Sequence, residues 1–122
     1  MTRGVQALRG ATTVDVDEPD HITERVVTLM RELYERNGLT DDDVISAIFT
    51  STPDIHSIFP ATAARKFGMA DVPLLGAQEA FIESGTTMCI RVMLHVNTDR
   101  PRSEVRHVYL ERAASLRSDL SQ

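Results

Sequence analysis

The segment TMCIRVMLHVN, residues 87–97, is the strongest indication of fold in this sequence. Apolar side chains recur at every second position, which is the period of a β-strand with one face against a core. One face carries Ile90, Val92, Leu94 and Val96, and the other carries Cys89, Arg91, Met93 and His95. The segment therefore predicts a long strand with an arginine in the middle of its less apolar face.

A helix is predicted upstream of this strand. Apolar residues from Ile22 to Tyr34 recur three or four positions apart, which is the pattern of a helix with one buried face. We expect Asp17 or Asp20 to cap its start and the pair Asn37-Gly38 to end it.

A second, shorter helix and four further strands complete the predicted order. Pro60 fits the first position of the short helix, and Gly68 ends it. A capped helical turn is predicted at residues 40–43. The strands are predicted at Val5–Leu8, which ends in a loop at Arg9-Gly10, and at Val44–Ser51, Val72–Leu75 and Val105–Leu110.

This order of elements is typical of an α/β protein. A chain of 122 residues has the length of one domain, so we expect a single domain over residues 1–122. Two helices suffice to cover one face of a mixed five-stranded sheet. The other face has no helix to cover it, and the sheet is therefore expected to associate with further copies of the chain.

The composition limits the functional classes. Hydrophobic residues make up 42% of the chain and charged residues 25%, as in ordinary globular proteins. The net charge of −5 argues against a nucleic-acid or anionic-membrane partner. No segment has the length and apolarity of a signal peptide or a membrane span. We therefore expect a cytoplasmic protein.

Arg91 is the most informative candidate residue. Its neighbours Ile90 and Val92 face the other way, so Arg91 lies in mid-strand and not in a charged run. Two interpretations remain open. Arg91 is either a surface residue whose stem covers apolar neighbours or a cation directed into a pocket that binds an anion.

Four weaker candidates could contact the same anion or its polar groups. Glu79 stands among small uncharged residues, where its carboxylate either accepts a hydrogen bond from a substrate hydroxyl or is solvated. Tyr109 offers a hydroxyl donor or half-buried packing. Arg9 follows the first predicted strand, and Arg65 lies on the short helix.

The sequence lacks the patterns of metal, nucleophilic and phosphate-loop chemistry. The four histidines do not have ligand spacing, and Asp54 with His56 forms a close carboxylate–histidine pair. Ser51, Thr52 and Cys89 have no recognisable base partner, and the glycines are too scattered for a phosphate loop. We expect no metal and no other cofactor.

Five blocks of sequence, in order, carry a family resemblance. They are Arg9-Gly10-Ala11-Thr12-Thr13; Thr52-Pro53-Asp54-Ile55-His56 leading to Phe59-Pro60-Ala61; Val72-Pro73 leading to Gln78-Glu79; Cys89-Ile90-Arg91-Val92-Met93; and Arg106-His107-Val108-Tyr109-Leu110-Glu111. Over about residues 9–120 the chain resembles the monofunctional chorismate mutases of the trimeric pseudo-α/β-barrel class. The resemblance implies a homotrimer with active sites at its subunit interfaces. Such an enzyme converts chorismate to prephenate in aromatic amino-acid biosynthesis without a cofactor.

The resemblance also implies a role for each candidate residue. Arg91 would stand beside the breaking ether bond, and Glu79 would bind the ring hydroxyl. Arg9 and Tyr109 would hold the side-chain carboxylate. The remaining residues would come from the neighbouring subunit (Phe59, Ala61 and Arg65), line the pocket (Leu74, Leu75 and Gly76) or cover its mouth (Leu116 and Arg117).

Two positions depart from the family's pattern. Gly76 stands where a cysteine is common, and Thr62 stands where a lysine is common. The hydroxyl contact would then be weaker, and one peripheral cation would be missing. Two other functions remain open, namely a trimeric enzyme of the enamine/imine deaminase type and a non-catalytic module that binds an anionic metabolite.

Overall fold

A computed structural model describes residues 4–115. Along these residues lie β1 (Gly4–Thr13), α1 (Pro19–Asn37), β2 (Val44–Ser51), α2 (Pro60–Phe67), β3 (Leu74–Gln78), β4 (Cys89–Thr98) and β5 (Val108–Tyr109). Short 3₁₀ helices lie at Asp41–Asp43, Arg102–Glu104 and Glu111–Ser115. The predicted order of two helices and five strands is confirmed.

The five strands form one mixed sheet in the order β3-β2-β4-β1-β5. β4 lies at its centre and pairs antiparallel with β1 and with β2. β3 runs parallel to β2 at one edge, and β5 runs parallel to β1 at the other. The segment with the longest apolar alternation in the sequence is therefore the central strand.

The two helices pack against each other over one face of the sheet. Ile90 and Leu94 of β4 are fully buried in this layer, and so are Leu29 and Leu33 of α1. Burial of such side chains is the main favourable contribution to folding. None of the helices in residues 4–115 has the length and apolarity to cross a membrane.

β1 is longer than predicted. The strand does not end in a loop at Arg9-Gly10 but continues to Thr13, so that prediction is wrong. The glycine serves a close approach between elements and not a turn. A Cβ on Gly10 would lie 2.7 Å from Cδ1 of Leu33 and 3.0 Å from Cγ1 of Val92. β1 thus passes so close to α1 that the position favours a residue without a side chain.

The start of α1 also differs from the prediction. Glu18 occupies the N-cap position without a side-chain cap, and Asp20 lies inside the first turn. The Asp17 carboxylate instead accepts the backbone N–H groups of His56 and Ser57 at 2.9 and 3.0 Å. Asp17 therefore joins the loop before α1 to the loop before α2.

The two edge strands have bounds that differ from the predicted ones. β3 begins at Leu74 and not at Val72, because Pro73 between them has no N–H to donate to a ladder. β5 is confined to two residues, which pair with Gly10 and Ala11 of β1. The rest of the strand predicted over 105–110 lies outside any ladder.

Other predicted boundaries are confirmed. β2 has the predicted bounds of Val44–Ser51, and α2 ends before Gly68. α1 ends at Asn37 and is followed by Gly38, which adopts the left-handed conformation. Thr40 and Asp43 form the capping box of the predicted helical turn.

The second face of the sheet, called the outer face below, carries neither α1 nor α2. Across it at one level lie Leu75, Ile48, Met93 and Arg9, each paired in register with the next. Leu75 is 63% exposed, Ile48 38% and Met93 36%. The single chain therefore leaves apolar side chains exposed on the face that was expected to lack cover.

Candidate active site

A second row of residues crosses the outer face one step further along the strands. Register pairs join Ala77 to Thr50, Thr50 to Arg91, Arg91 to Ala11, and Ala11 to Tyr109. Each of the five strands contributes one residue to this row. The five residues lie on the same face, because register partners point to the same face of a sheet. Arg91 therefore lies in the middle, with hydroxyl-bearing residues on both sides of it.

A cavity of about 440 Å³ opens over this row. It is lined by Arg9, Gly10, Ala11, Ile48, Thr50, Arg91, Val92, Met93 and Tyr109. Three of the candidate residues, Arg9, Arg91 and Tyr109, thus share one cavity although they are far apart in the sequence. The described lining contains two arginines and no acidic residue, so the cavity favours an anion.

Glu79 holds the Arg91 side chain from the β2–β3 side of the sheet. Nε of Arg91 lies 3.0 Å from Oε2 of Glu79, and the Thr50 hydroxyl donates to the same oxygen at 2.6 Å. The Glu79 side chain is only 21% exposed, whereas 43% of the Arg91 side chain remains accessible. This geometry favours a fixed guanidinium directed into a pocket over a surface arginine.

Tyr109 is fixed by packing on the outer face. The residue is 5% exposed and forms a small cluster with Ala11 and Ala113. Ala113 belongs to the 3₁₀ helix that follows β5, and its N–H bonds to the carbonyl of Leu110. The short helix thereby lies over the ring and closes this end of the outer face.

Asp54 holds the far end of the loop between β3 and β4. Its carboxylate accepts the N–H of Met88 at 3.0 Å and the hydroxyl of Thr52. His56 instead contacts the carbonyl of Pro53 through Nε2 at 2.7 Å. Asp54 and His56, which stand close together in the sequence, therefore stabilise loop conformations through these contacts. In residues 4–115 no group of three His, Cys, Asp or Glu side chains is arranged to hold a metal.

The residues that the resemblance assigns to a neighbouring subunit do not line the Arg91 cavity of their own chain. Phe59 is 75% exposed and lines, with Gly76, a separate hollow of about 500 Å³. Arg65 is exposed in the last turn of α2. Ala61 is different, because it belongs to the main core between the helices and the sheet.

The remaining candidates lie along β3 or beyond the described chain. Leu75 is on the outer face, whereas Leu74 packs against the main core. Gly76 is exposed, and a Cβ added there would meet no atom within 4 Å. Leu116 and Arg117 fall outside the residues that the structure describes.

Cys89 does not have the properties of a catalytic thiol. Burial raises the pKa of Cys89 to about 11, and the nearby Arg91 offsets this only in part. The thiol is therefore protonated at neutral pH and a poor nucleophile. Cys89 belongs to the framework, where its N–H donates to the Thr52 hydroxyl at 2.9 Å.

Sequence reasoning missed two residues next to the candidate site. Thr50 holds the Glu79 carboxylate, and the alternation of β2 places it on the same face as Ile48, which is a signal that could have found it. Nδ1 of His107 accepts the backbone N–H of Arg9 at 2.9 Å. These two residues are 98 positions apart, and no sequence spacing connects them.

The chemistry of this cavity is that of anion recognition. Two guanidinium groups and a tyrosine share it, and a partly buried carboxylate fixes the orientation of the central guanidinium. Guanidinium groups bind carboxylates with directional, charge-assisted hydrogen bonds. Fold and site together define a small α/β protein with an anion-binding pocket on the outer face of its sheet.

Comparison with known proteins narrows this class. The sequence profile of the family chorismate mutase type I matches residues 5–120. Chorismate mutase AroH of Bacillus subtilis (strain 168) is 41% identical over 118 residues, which cover 96% of this chain and 93% of that protein. Chorismate mutase AroH of Thermus thermophilus is 44% identical over 117 residues, which cover 95% of this chain and 96% of that protein.

A solved structure agrees with the sequence comparisons. A chorismate mutase from Clostridium thermocellum superposes with a TM-score of 0.86 at 44% identity, over 88% of this chain and 96% of that chain. The chain belongs to the chorismate mutase type I family. It is therefore an isomerase, and the deaminase-like and non-catalytic alternatives have no support.

Proposed function

We propose that the chain converts chorismate to prephenate in the cavity over Arg91, as a homotrimer whose active sites lie between subunits. The observation that carries the proposal is the shared cavity of Arg91, Arg9 and Tyr109, with Arg91 paired to Glu79 at 3.0 Å. The reaction is an intramolecular Claisen-type rearrangement. Such a step requires no nucleophile, base, metal or cofactor, so the residues present are sufficient for it.

Arg91 is assigned the main part of the rate acceleration. As the ether carbon–oxygen bond of the substrate lengthens, negative charge grows on its oxygen. A guanidinium fixed beside that oxygen stabilises the transition state more than the ground state, which raises kcat. One preorganised donor of this kind is worth about 2.7–4 kcal/mol. The ion pair with Glu79 supports the assignment, because it holds the guanidinium in place before substrate arrives.

The other cavity residues are assigned to substrate binding. Chorismate is a dianion that reacts only from a compact conformer, and holding that conformer removes an entropic part of the barrier. Arg9 and Tyr109 line the cavity on the β1–β5 side, and we assign them to the side-chain carboxylate. The Glu79 carboxylate, half-buried on the opposite side, is assigned to the ring hydroxyl.

The trimer is proposed from what the single chain leaves uncovered. Leu75, Ile48 and Met93 are exposed on the outer face immediately beside the cavity. Burying such an apolar row against a second copy is favourable, at about 25 cal/mol per Å². Phe59 and Arg65 are also exposed, and neither lines the cavity of its own chain. A neighbour that presents these two residues would complete the pocket, and Leu116 and Arg117 are proposed to cover it.

The activity is tested by following the loss of chorismate absorbance with purified protein and identifying prephenate as the product. A deaminase or a binding module would leave chorismate unchanged. Arg36→Ala is the matched control, because Arg36 forms an exposed ion pair with Glu32 on α1, away from the cavity. We expect this variant to turn over chorismate as the unaltered protein does.

The shared site is tested by mixing two variants, each of which should be nearly inactive. If Arg91 and Arg65 in one pocket come from different subunits, Arg91→Ala and Arg65→Ala chains can rebuild an intact pocket between them. In an even random mixture about a quarter of the head-to-tail interfaces are whole, so about a quarter of the activity should return.

A negative control uses the double variant. Arg91→Ala chains refolded with Arg91→Ala/Arg65→Ala chains can form no intact pocket and should stay inactive. Recovery no greater in the first mixture than in this control would show that both arginines serve the pocket of one subunit. Sedimentation at a monomer mass would refute the trimer directly.

The remaining parts of the proposal concern partners and location. With a net charge of −5, the protein is proposed to bind chorismate as its small-molecule partner and neither nucleic acid nor membrane. A cytoplasmic location is proposed as well, from the similarity to chorismate mutases. Cell fractionation that places the protein in the membrane or extracellular fraction would contradict it.

A further inference from the structure

β5 carries Tyr109, but the ladder that holds it is very short. Its two residues pair with Gly10 and Ala11 of β1, and the N–H of Leu110 adds one bond to the Ala11 carbonyl. A ladder of this length supplies few hydrogen bonds to fix a strand at the edge of a sheet. The position of Tyr109 relative to Arg9 therefore depends on contacts outside the ladder.

The first of these contacts comes from the end of α1. The Asn37 side chain is buried and is bonded on both sides of its amide. Oδ1 accepts the N–H of Arg106 at 2.7 Å, and Nδ2 donates to the carbonyl oxygens of Arg106 and Leu33, both at 2.9 Å. A single side chain thus ties the backbone two residues before β5 to the last turn of the helix.

The second contact joins the same segment to β1. Nδ1 of His107 accepts the backbone N–H of Arg9 at 2.9 Å in a partly buried position. His107 stands one residue before the first ladder pair, Gly10 with Val108, so its ring extends the pairing of the two strands by one bond. A nitrogen that accepts a hydrogen bond carries no proton, so a neutral ring must carry its proton on Nε2.

We infer that His107 is a positioning residue for the carboxylate-binding pair Arg9 and Tyr109, acting through Nδ1 while Asn37 holds the adjacent backbone. The ring fixes the Arg9 backbone against the segment that carries Tyr109, and so sets the spacing of the two groups. This inference rests on the proposed function, because it assigns Arg9 to a carboxylate that does not react. A group that binds such a carboxylate contributes equally to the ground and transition states, and its displacement raises KM with little change in kcat.

The test compares two amide replacements of His107. In His107→Asn the Oδ1 atom lies close to the place of the imidazole Nδ1 and can accept the Arg9 N–H. In His107→Gln the amide reaches toward the place of Nε2 and leaves that N–H without its acceptor. Loss of one such hydrogen bond corresponds to a change of about fivefold to tenfold in an equilibrium constant. We expect KM for chorismate to rise by about that factor in His107→Gln, and to stay near the unaltered value in His107→Asn.

His21 offers a matched control. Its Nε2 accepts the backbone N–H of Asp15 at 2.9 Å, so it makes the same kind of bond between residues that do not line the cavity. His21→Asn loses this bond because the shorter side chain does not reach. We expect a lower Tm for His21→Asn and an unchanged KM.

A second measurement reads the bond without using activity. In ¹⁵N-labelled protein the bond predicts a scalar coupling across it, between the Arg9 amide nitrogen and Nδ1 of His107. The coupling should be present in the unaltered protein and absent in His107→Gln. His107→Ala should reproduce the rise in KM if the glutamine variant does not fold.

The possible outcomes separate the inference from the function on which it rests. Absence of the coupling in the unaltered protein would overturn the inference. So would a His107→Gln protein that has lost the coupling but keeps its KM, or one in which kcat and Tm fall while KM is unchanged. An unaltered protein that has the coupling but does not turn over chorismate would overturn the proposed function, and with it the role of Arg9.

Discussion

Replacement of Arg91 by alanine is the sharpest test of the proposed mechanism. The guanidinium is held by Glu79 at 3.0 Å, and its accessible part faces a cavity that also contains Arg9 and Tyr109. Removal of one preorganised donor at a developing negative charge costs about 2.7–4 kcal/mol of transition-state stabilisation. We therefore expect kcat for Arg91→Ala to fall by about 10²–10³-fold.

The effect on stability should be much smaller. The ion pair that is lost is partly exposed, and such pairs contribute about 1 kcal/mol or less. Glu79 also keeps a partner in the variant, because the Thr50 hydroxyl still donates to its Oε2. Denaturant unfolding should therefore show a small shift, while kcat falls by orders of magnitude.

The assay is steady-state loss of chorismate absorbance over a range of substrate concentrations that separates kcat from KM. Arg91→Lys should recover part of kcat, since an ammonium supplies charge at this place but not the planar fork. A variant Arg91→Ala with an unchanged kcat and a raised KM would refute the reasoning. Arg91 would then bind a carboxylate in the ground state and would not stabilise the transition state.

The remaining predictions concern pH, metal and the framework. Because the proposed rearrangement uses no acid or base, kcat should be nearly flat from about pH 6 to 9 and insensitive to a chelator, whereas a bell-shaped profile would contradict it. Gly10→Ala should lower the free energy of unfolding by about 1–2 kcal/mol, because its Cβ would lie 2.7 Å from Cδ1 of Leu33. The control Gly76→Ala should leave the free energy of unfolding nearly unchanged, because its Cβ would meet no atom within 4 Å. For Asp17, desolvation raises the pKa but is outweighed by hydrogen bonds from Ser57 and His56, so the pKa in the folded protein lies below the ordinary value of 3.8. Its contribution to stability is present above that value and is lost as the pH falls through the folded pKa, so the stability of Asp17→Asn should depend less on pH in acid. An identical acid dependence in denaturant unfolding would count against a stabilising role for the hydrogen bonds that Asp17 accepts from His56 and Ser57.

The local elements of the fold could be predicted because each depends on a short-range pattern. The period of two in β4 places Arg91 and the buried Ile90 on opposite faces of the strand, and the structure confirms this arrangement. Pro60 and Gly68 bound α2 because one has a fixed φ suited to a first turn and the other reaches a positive φ of 134°. The membership of Arg9, Arg91 and Tyr109 in one site came from resemblance and not from these patterns.

What failed at the sequence level depended on distant partners. The sequence predicts a loop at Gly10, but the role of this residue is set by Leu33 of α1 and Val92 of β4, which approach it in the folded chain. The short ladder of β5 likewise follows from a pairing with β1 that no local propensity encodes.

The sequence by itself determined the order of the strands and helices and which face of β4 carries Arg91, because side-chain periodicity is a property of the local backbone. Only the tertiary structure decided that Thr50, Arg91 and Tyr109 stand in one row, since that row requires the strand order β3-β2-β4-β1-β5 and its register. Order and register are set by packing of the whole sheet against α1 and α2. For the same reason the bond from Arg9 to His107, across 98 residues, exists only in the folded chain.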